Sequence, residues 1–242
     1  MASVADHYRS LLAPVYAWMS GGLDAALARG EAEIETILPD LPRGSRAVDL
    51  GAGFGMHSIA LARRGCPVLA IDTSSYLLEQ LKGHAQALPI TVVEDDLLGF
   101  QRHLDRGADV ILCMGDTLTH LADRAAVLTL FTRAAESLRP GGAFITTLRD
   151  YSSALTGSAR FIPVRSGADR ILTCFLEYAA DHVDIHDVLH ERQGEVWQLR
   201  VSAYRKLRLH PQWLAASLKE RGFCVRLEPG PGGMIRVIAA RI

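Results

Sequence analysis

The residues best suited to chemistry are gathered in one short segment, Ala47-Val-Asp-Leu-Gly-Ala-Gly-Phe-Gly55. An apolar stretch carrying Asp49 runs into Gly51, Gly53 and Gly55, and a helical pattern starts at Met56. Glycines at such a turn allow a ligand to lie against the backbone. The helix that follows aims free N–H groups and its positive end at that ligand. The order strand, glycine turn, helix makes the loop a nucleotide-binding signal. A dinucleotide fingerprint would place its third glycine at position 56, which is Met56. Asp49 sits poorly beside a pyrophosphate but suits an ammonium group. Farther on, Asp72 and Thr73 follow the apolar run Val68–Ile71, where an acid can hold both ribose hydroxyls. Asp95 and Asp96, followed by Leu97, come after Ile90–Val93. Any one of these acids alone reads as a helix cap or a loop charge. Their ordered succession at strand ends carries more weight.

The elements that must position them alternate regularly. Strands are expected at Ala47–Leu50, Val68–Ile71, Ile90–Val93, Val110–Met114 and Ala143–Thr147. Helices are expected at Met56–Arg64, Ser75–Ala85 and Arg124–Leu138, with a turn at Pro140-Gly141-Gly142. Such alternation indicates a parallel sheet covered on both faces. Right-handed crossovers then bring every strand C-terminus to one edge, where the chemistry belongs. Residues 3 to 39 read as helical, interrupted at Gly21-Gly22. After Thr147 the pattern changes to three antiparallel strands, Ile171–Tyr178, Val183–Leu189 and Val196–Leu207. A helix at Pro211–Glu220 and strands at Phe223–Leu227 and Met234–Ala240 close the chain. The organisation expected is a helical cap over residues 1–40, a cofactor-binding core over 41–150, an antiparallel insertion over 151–209, and a C-terminal helix and hairpin over 210–242.

The chain has 242 residues, of which 49% are hydrophobic and 22% charged, which is ordinary for a globular protein. Its net charge of -1 and lack of a basic tract imply no nucleic-acid partner. No apolar run is long enough to span a membrane, so the expectation is a cytoplasmic protein with no membrane partner. Cys66, Cys113, Cys174 and Cys224 are scattered, which suits reduced thiols rather than disulfides or a zinc site, and no metal is expected.

The segment V-D-x-G-x-G-x-G resembles motif I of the class I, Rossmann-like methyltransferases that use S-adenosylmethionine. Leu138-Arg-Pro-Gly-Gly142 is also similar to that family. The resemblance implies an α/β, Rossmann-like sheet with a C-terminal antiparallel hairpin. It implies S-adenosyl-L-methionine as cofactor, with the methionine part held by Asp49, Gly51 and Gly53 in a loop that includes Ala52 and Gly55. By sequence geometry His57, in the first turn of the helix after Gly55, would lie near the methionine carboxylate, or else occupy that helix position without a role in binding. Asp72 and Thr73 would take the ribose. Asp96, or failing that Asp95, would meet the adenine amino group beside Leu97. Met114 and Gly115 would lie beneath the sulfonium.

On the acceptor side, Gly115-Asp-Thr-Leu-Thr-His-Leu121 resembles the G-N-S-x-x-H-L stretch of glycine N-methyltransferases, and Leu148-Arg-Asp-Tyr151 their H-R-N-Y segment. The resemblance implies that Arg149 holds an acceptor carboxylate; a surface ion pair is the competing reading. Asp116 and His120 would help position the acceptor, His120 either as a general base or by packing. Tyr8 and Tyr16, on the N-terminal helix, are candidates for the cover of the site, with core packing as the alternative. His182, Asp184, His186 and His190 share one strand face, which reads first as a solvated face, then as pocket lining, and last as metal ligands. The function expected is methyl transfer to N, O or C of a small molecule that carries a carboxylate. An NAD-dependent oxidoreductase and a non-catalytic cofactor binder remain as alternatives. A small-molecule acceptor and a second copy of the chain are the expected partners.

Overall fold

A computed structural model describes residues 2–242. Seven strands form the central sheet: β1 Ala47–Leu50, β2 Val68–Asp72, β3 Ile90–Glu94, β4 Ala108–Cys113, β5 Leu138–Leu148, β10 Phe223–Pro229 and β11 Ile235–Arg241. Their order is β10-β11-β5-β4-β1-β2-β3. The first five run parallel, and β11 pairs antiparallel with both β5 and β10. β1 is buried at every position, as a central strand covered on both faces must be.

One face packs on α3 (Leu23–Ile37), α4 (Met56–Arg63) and α5 (Ser75–His84) through Ile34, Leu61, Ile59 and Leu81. The other packs on α6 (Arg124–Ser137) and α7 (Pro211–Lys219) through Leu130, Phe131, Leu214 and Leu218. Ser74 and Asp123 cap α5 and α6 by accepting backbone N–H bonds. The order of strands places the ends of β1 and β4 side by side at the centre of one edge, so their loops must share that space.

The N-terminal region is less regular than its apolar pattern suggests. It breaks into α1 (Val4–His7), a π-helical turn Tyr8–Leu12, a 3-10 turn Ala13–Val15 and α2 (Tyr16–Met19). Pro14 removes a backbone donor here. Gly21 and Gly22, both with φ +94°, then reverse the chain into α3.

A second, antiparallel sheet has four strands rather than the three expected: β6 Phe161–Ser166, β7 Arg170–Tyr178, β8 His182–Gln193 and β9 Val196–Leu207, in sequential order. β6 was missed because Pro163 lies within it and a register shift disrupts its pairing near Pro163 and Arg165. The expected turn at Pro140-Gly141-Gly142 lies inside β5. Burial alternates along β8, with Val183, Ile185, Asp187 and Leu189 inward. That inward face receives Leu11, Leu12 and Val15 from the N-terminal turns and Tyr151 from the loop after β5. Arg208 fixes this loop to the second sheet, donating to the carbonyls of Tyr151, Ser152 and Ala179.

Candidate active site

A cavity of about 490 Å3 opens where the two sheets and the N-terminal turns meet. Its floor is the loop after β1. Gly51 and Ala52 donate their N–H groups to the Ile71 carbonyl at 2.8 and 3.0 Å, which holds the loop against β2. Gly51 has φ +75°, and a Cβ there would collide with the side chain of Thr117. Two loops therefore meet at a point where only glycine fits.

Asp72 accepts the Gly53 N–H at 2.8 Å on one oxygen and the Ser74 N–H at 2.8 Å on the other. It also lines the cavity, so one side chain both braces the glycine loop and faces the ligand space. Burial raises its pKa, and the two N–H donors oppose that rise. Thr73, Asp95, Asp96 and Leu97 line the same wall. Asp95 is engaged by Arg102 and His103, whose bonds hold its carboxyl well below the usual range. Asp96 accepts the Leu98 N–H through one oxygen, and its side chain is otherwise exposed. Of the two acids, Asp96 has the more available oxygen for an amino group.

Tyr8, Tyr16 and His120 form the opposite wall. The Tyr8 ring centroid lies 5.8 Å from Tyr16 and 5.9 Å from His120. Burial raises the pKa of both phenols, which stay protonated. The His120 Nε2 is buried and meets no hydrogen-bond partner among the described residues. Burial, with Lys206 nearby, lowers its pKa to about 3. The imidazole is thus neutral, with an unsatisfied nitrogen beside the cavity. A buried polar atom of this kind is expensive unless a ligand or water meets it. Ser3, Val4 and Ala5, from the start of the chain, complete the cover.

Several expected site residues lie elsewhere. Arg149 is exposed and does not line the cavity; its backbone N–H donates to Asp116 Oδ1 at 3.0 Å. The strand turns its side chain away from the enclosure, which removes the basis for Arg149 as the acceptor's carboxylate clamp. Asp116 is buried behind the cavity wall, not on it. It meets Lys206 Nζ at 2.5 Å and the Tyr151 hydroxyl at 3.1 Å. Burial alone would raise its pKa, but the Lys206 charge and hydrogen bond outweigh that, and the net shift is downward. His57 turns to Glu33 at 3.1 Å, and Arg236 binds the same carboxylate, so His57 is engaged in a packed ion network rather than free for a ligand. Asp49 is buried and accepts the Ser58 hydroxyl at 2.6 Å. Asp49, Ala52, Gly55, Met114 and Gly115 support the loops without lining the cavity.

The histidine face of β8 is an ion-paired surface. His186 meets Glu177 at 2.6 Å, and His182 meets Asp181 at 2.6 Å. Among the described residues no cluster of His, Cys, Asp or Glu is placed to hold a metal. The four cysteines are free thiols. Among the described residues, no helix is long and apolar enough to cross a membrane.

Two buried clusters escaped the sequence reading. One is Lys206–Asp116–Tyr151. In the other, His7 lies between Ser202 Oγ (2.9 Å) and Asp187 Oδ2 (2.8 Å), stacks on Tyr204 at 4.1 Å, and shares Asp187 with the Cys174 thiol. The available signal was alternation: Asp187 and Lys206 are charges at inward positions of β8 and β9.

The sheet order and the glycine loop define the fold: the chain has the Rossmann-like architecture found in class I methyltransferases. Residues 47–142 match the family model described as a methyltransferase domain. A carboxy-S-adenosyl-L-methionine synthase of Yersinia enterocolitica is 31% identical over 109 residues, covering 42% of this chain and 39% of the relative. A glycine/sarcosine N-methyltransferase of Halorhodospira halochloris is 28% identical over 135 residues, covering 53% and 49%. The chain spans about half the length, or less, of these curated relatives. An amino pentose methyltransferase from Micromonospora echinaspora, solved with S-adenosylmethionine bound, has the same fold. It superposes with a TM-score of 0.76 over 96% of this chain and 98% of its own, at 16% identity.

Proposed function

We propose that the protein transfers the methyl group of S-adenosylmethionine to a nitrogen of a small, uncharged or basic acceptor. One observation carries this reading: a single enclosure joins Gly51, Gly53, Asp72 and Asp96 to Tyr8, Tyr16 and His120. The first group suits an adenosyl cofactor. Gly51 and Gly53 leave room at the backbone, Asp72 faces the ribose hydroxyls, and Asp96 has an oxygen for the adenine amino group. When bound, the cofactor supplies a methyl group already activated by its sulfonium, so the chain's task is alignment and exclusion of water. The rings of Tyr8 and Tyr16 present π faces that suit a cationic centre. His120 Nε2 would accept a hydrogen bond from the acceptor N–H and so orient the nitrogen lone pair; as the methyl passes from sulfur to nitrogen, the extra proton on the nitrogen would leave to water. Because His120 is neutral above about pH 3, it adds no positive charge beside the sulfonium.

The acceptor expected from the sequence carried a carboxylate. The lining of the cavity holds no lysine or arginine to bind one, and its three aspartates lie on the cofactor side. The structural neighbour is an amino pentose methyltransferase, and an amino sugar belongs to the acceptor class proposed. The methyl-donor reading is favoured over the dinucleotide and non-catalytic alternatives by Met56 and by the cofactor named in the neighbour. The proposal further places the protein in the cytoplasm, with no nucleic-acid partner and as a homodimer. It also divides the chain into a cap over residues 1–40, a core over 41–150, an antiparallel insertion over 151–209 and a C-terminal helix and hairpin over 210–242.

The test pairs calorimetry with turnover. S-adenosylmethionine and S-adenosylhomocysteine should bind and NADH should not. Release of S-adenosylhomocysteine should appear with members of a panel of small amines and be absent with carboxylic acids that lack an amine. Turnover confined to those acids would refute the acceptor class, and binding of NADH alone would refute the donor.

A further inference from the structure

The short turn Thr117–His120 is tied down by one buried acid. Asp116 stands at its start with φ +74°, a left-handed conformation that needs support from its surroundings. Its N–H donates to the Thr147 carbonyl at 2.8 Å, and its carbonyl accepts the Thr119 N–H at 3.1 Å and hydroxyl at 2.7 Å. The carboxylate reaches the other way. One oxygen accepts the Arg149 N–H, and the other meets the Tyr151 hydroxyl and Lys206 Nζ. The same turn sets Thr117 against Gly51 and presents His120 to the cavity.

Among the described residues, no residue of the second sheet lines the cavity. That sheet reaches the site through Lys206, buried at the end of β9. The groups that face His120 come from three elements. β9 supplies Lys206 and Tyr204, the N-terminal turns supply His7 and Tyr8, and its own turn supplies Asp116. Tyr8 and Tyr204 stay protonated, since burial raises both phenols. Asp116 and Lys206 act on the ring with opposite signs: the carboxylate draws a proton onto it, and the ammonium opposes that. The outcome decides the chemistry. An imidazolium carries a proton on both nitrogens and can accept no hydrogen bond, whereas a neutral ring leaves one nitrogen bare.

We propose that Lys206 is a positioning residue for methyl transfer: by neutralising Asp116 it holds the turn Thr117–His120 in place and keeps His120 Nε2 free to accept the N–H of the acceptor. The inference rests on the methyl-transfer reading above. Lys206 touches neither acceptor nor cofactor and gives up no proton in the reaction. It acts through Asp116, 2.5 Å away, and through Tyr204, whose ring lies 5.6 Å from its Nζ and 5.6 Å from the His120 ring. The second sheet thereby sets the hydrogen-bonding state of a side chain in a cavity that it does not line.

The full chain, free of cofactor, is tested by NMR of its histidine ring nitrogens across pH, with His120 assigned by the signal lost in His120→Gln. Wild-type His120 should stay neutral, with Nε2 bare, down to about pH 5. Lys206→Gln keeps an N–H donor for Asp116 but removes the charge. It should bring the titration of His120 to between about pH 5 and 7. Its kcat for a small amine, divided by that of the wild type, should then fall about tenfold over the same interval. Lys206→Gln with Asp116→Asn should return His120 to the neutral state, which a role confined to packing would not do. Should Lys206→Gln not fold, this double variant decides, because it leaves no buried charge without a partner. It should fold and hold His120 neutral. A wild-type imidazolium above about pH 5, an unshifted His120 in folded Lys206→Gln, or a double variant that unfolds or still titrates near neutrality would each overturn the proposal. So would a kcat profile unchanged beside a shifted His120. A shifted His120 in a protein that methylates no amine would bear out the charge balance and count against the methyl-transfer reading instead.

Discussion

The two walls of the cavity are built in different ways. The wall proposed for the cofactor is made by three consecutive strand-to-helix loops, and its contacts join residues close in sequence: Gly53 to Asp72, Asp72 to Ser74, Asp96 to Leu98. The wall proposed for the acceptor is held from behind by pairs far apart in the chain. Lys206 meets Asp116 across 90 positions, and His7 meets Asp187 across 180. Local loops can be copied as a motif, whereas a wall assembled from distant segments can vary with each acceptor.

The sharpest way to break this comparison is to remove the support of the acceptor wall. Lys206→Ala leaves the Asp116 carboxylate buried without its cation. Stability should fall by about 3–5 kcal/mol, read as a drop in denaturation midpoint. Adding Asp116→Asn should recover part of that loss, and no recovery would show that the pair is not coupled. On the cofactor wall, Gly51→Ala sets a Cβ against Thr117 at a positive φ. Cofactor dissociation constants should rise by about a hundredfold, or about 2.7 kcal/mol, by calorimetry. A change under threefold would mean that the two loops can separate at little cost.

His120 supplies a pH test. Its folded pKa, about 3, lies below the unfolded value of 6.5. The unfolded chain therefore binds the extra proton between those values, and stability falls as pH drops from about 6.5 toward 3. The slope from this group should be about 1 kcal/mol per pH unit, somewhat below the full linkage limit because the ring borders the cavity. His120→Gln should flatten the profile by that amount in urea titrations at pH 6 and 4. The smallest effect belongs to Arg149→Ala. With its side chain in solvent, KM and cofactor affinity should change less than about twofold. A large rise in KM for an acidic acceptor would restore the clamp role that the geometry removes.

Much of the cofactor wall could be read in the sequence, because periodicity and glycine spacing are local properties. Asp72, Asp96 and the glycines fall where the strand pattern places them. The acceptor wall was only partly legible. Tyr8 and Tyr16 could be selected as aromatic residues of a covering helix, although the break into a π-helical turn, which sets their angle, comes from packing against β7 and β8. Arg149 was misplaced because a motif names a residue but not the side of the strand on which it emerges. Asp116 was assigned to the acceptor when its partner, Lys206, lay on a strand whose pairing no local pattern could give. His57 was drawn to Glu33 by a helix 24 residues earlier.

The His7–Asp187 bond also sets an order of events during synthesis. His7 is made early, but its partner emerges 180 residues later, which at ribosomal speeds is about 10–40 s. Through that interval the loops after β1 and β2 can fold on nascent chain already released, and Tyr8 has Tyr16, Phe54 and Leu77 to pack on but not yet the face of β8 and β9. The cover is thus seated in two stages, first on the early loops and last on Asp187 of β8.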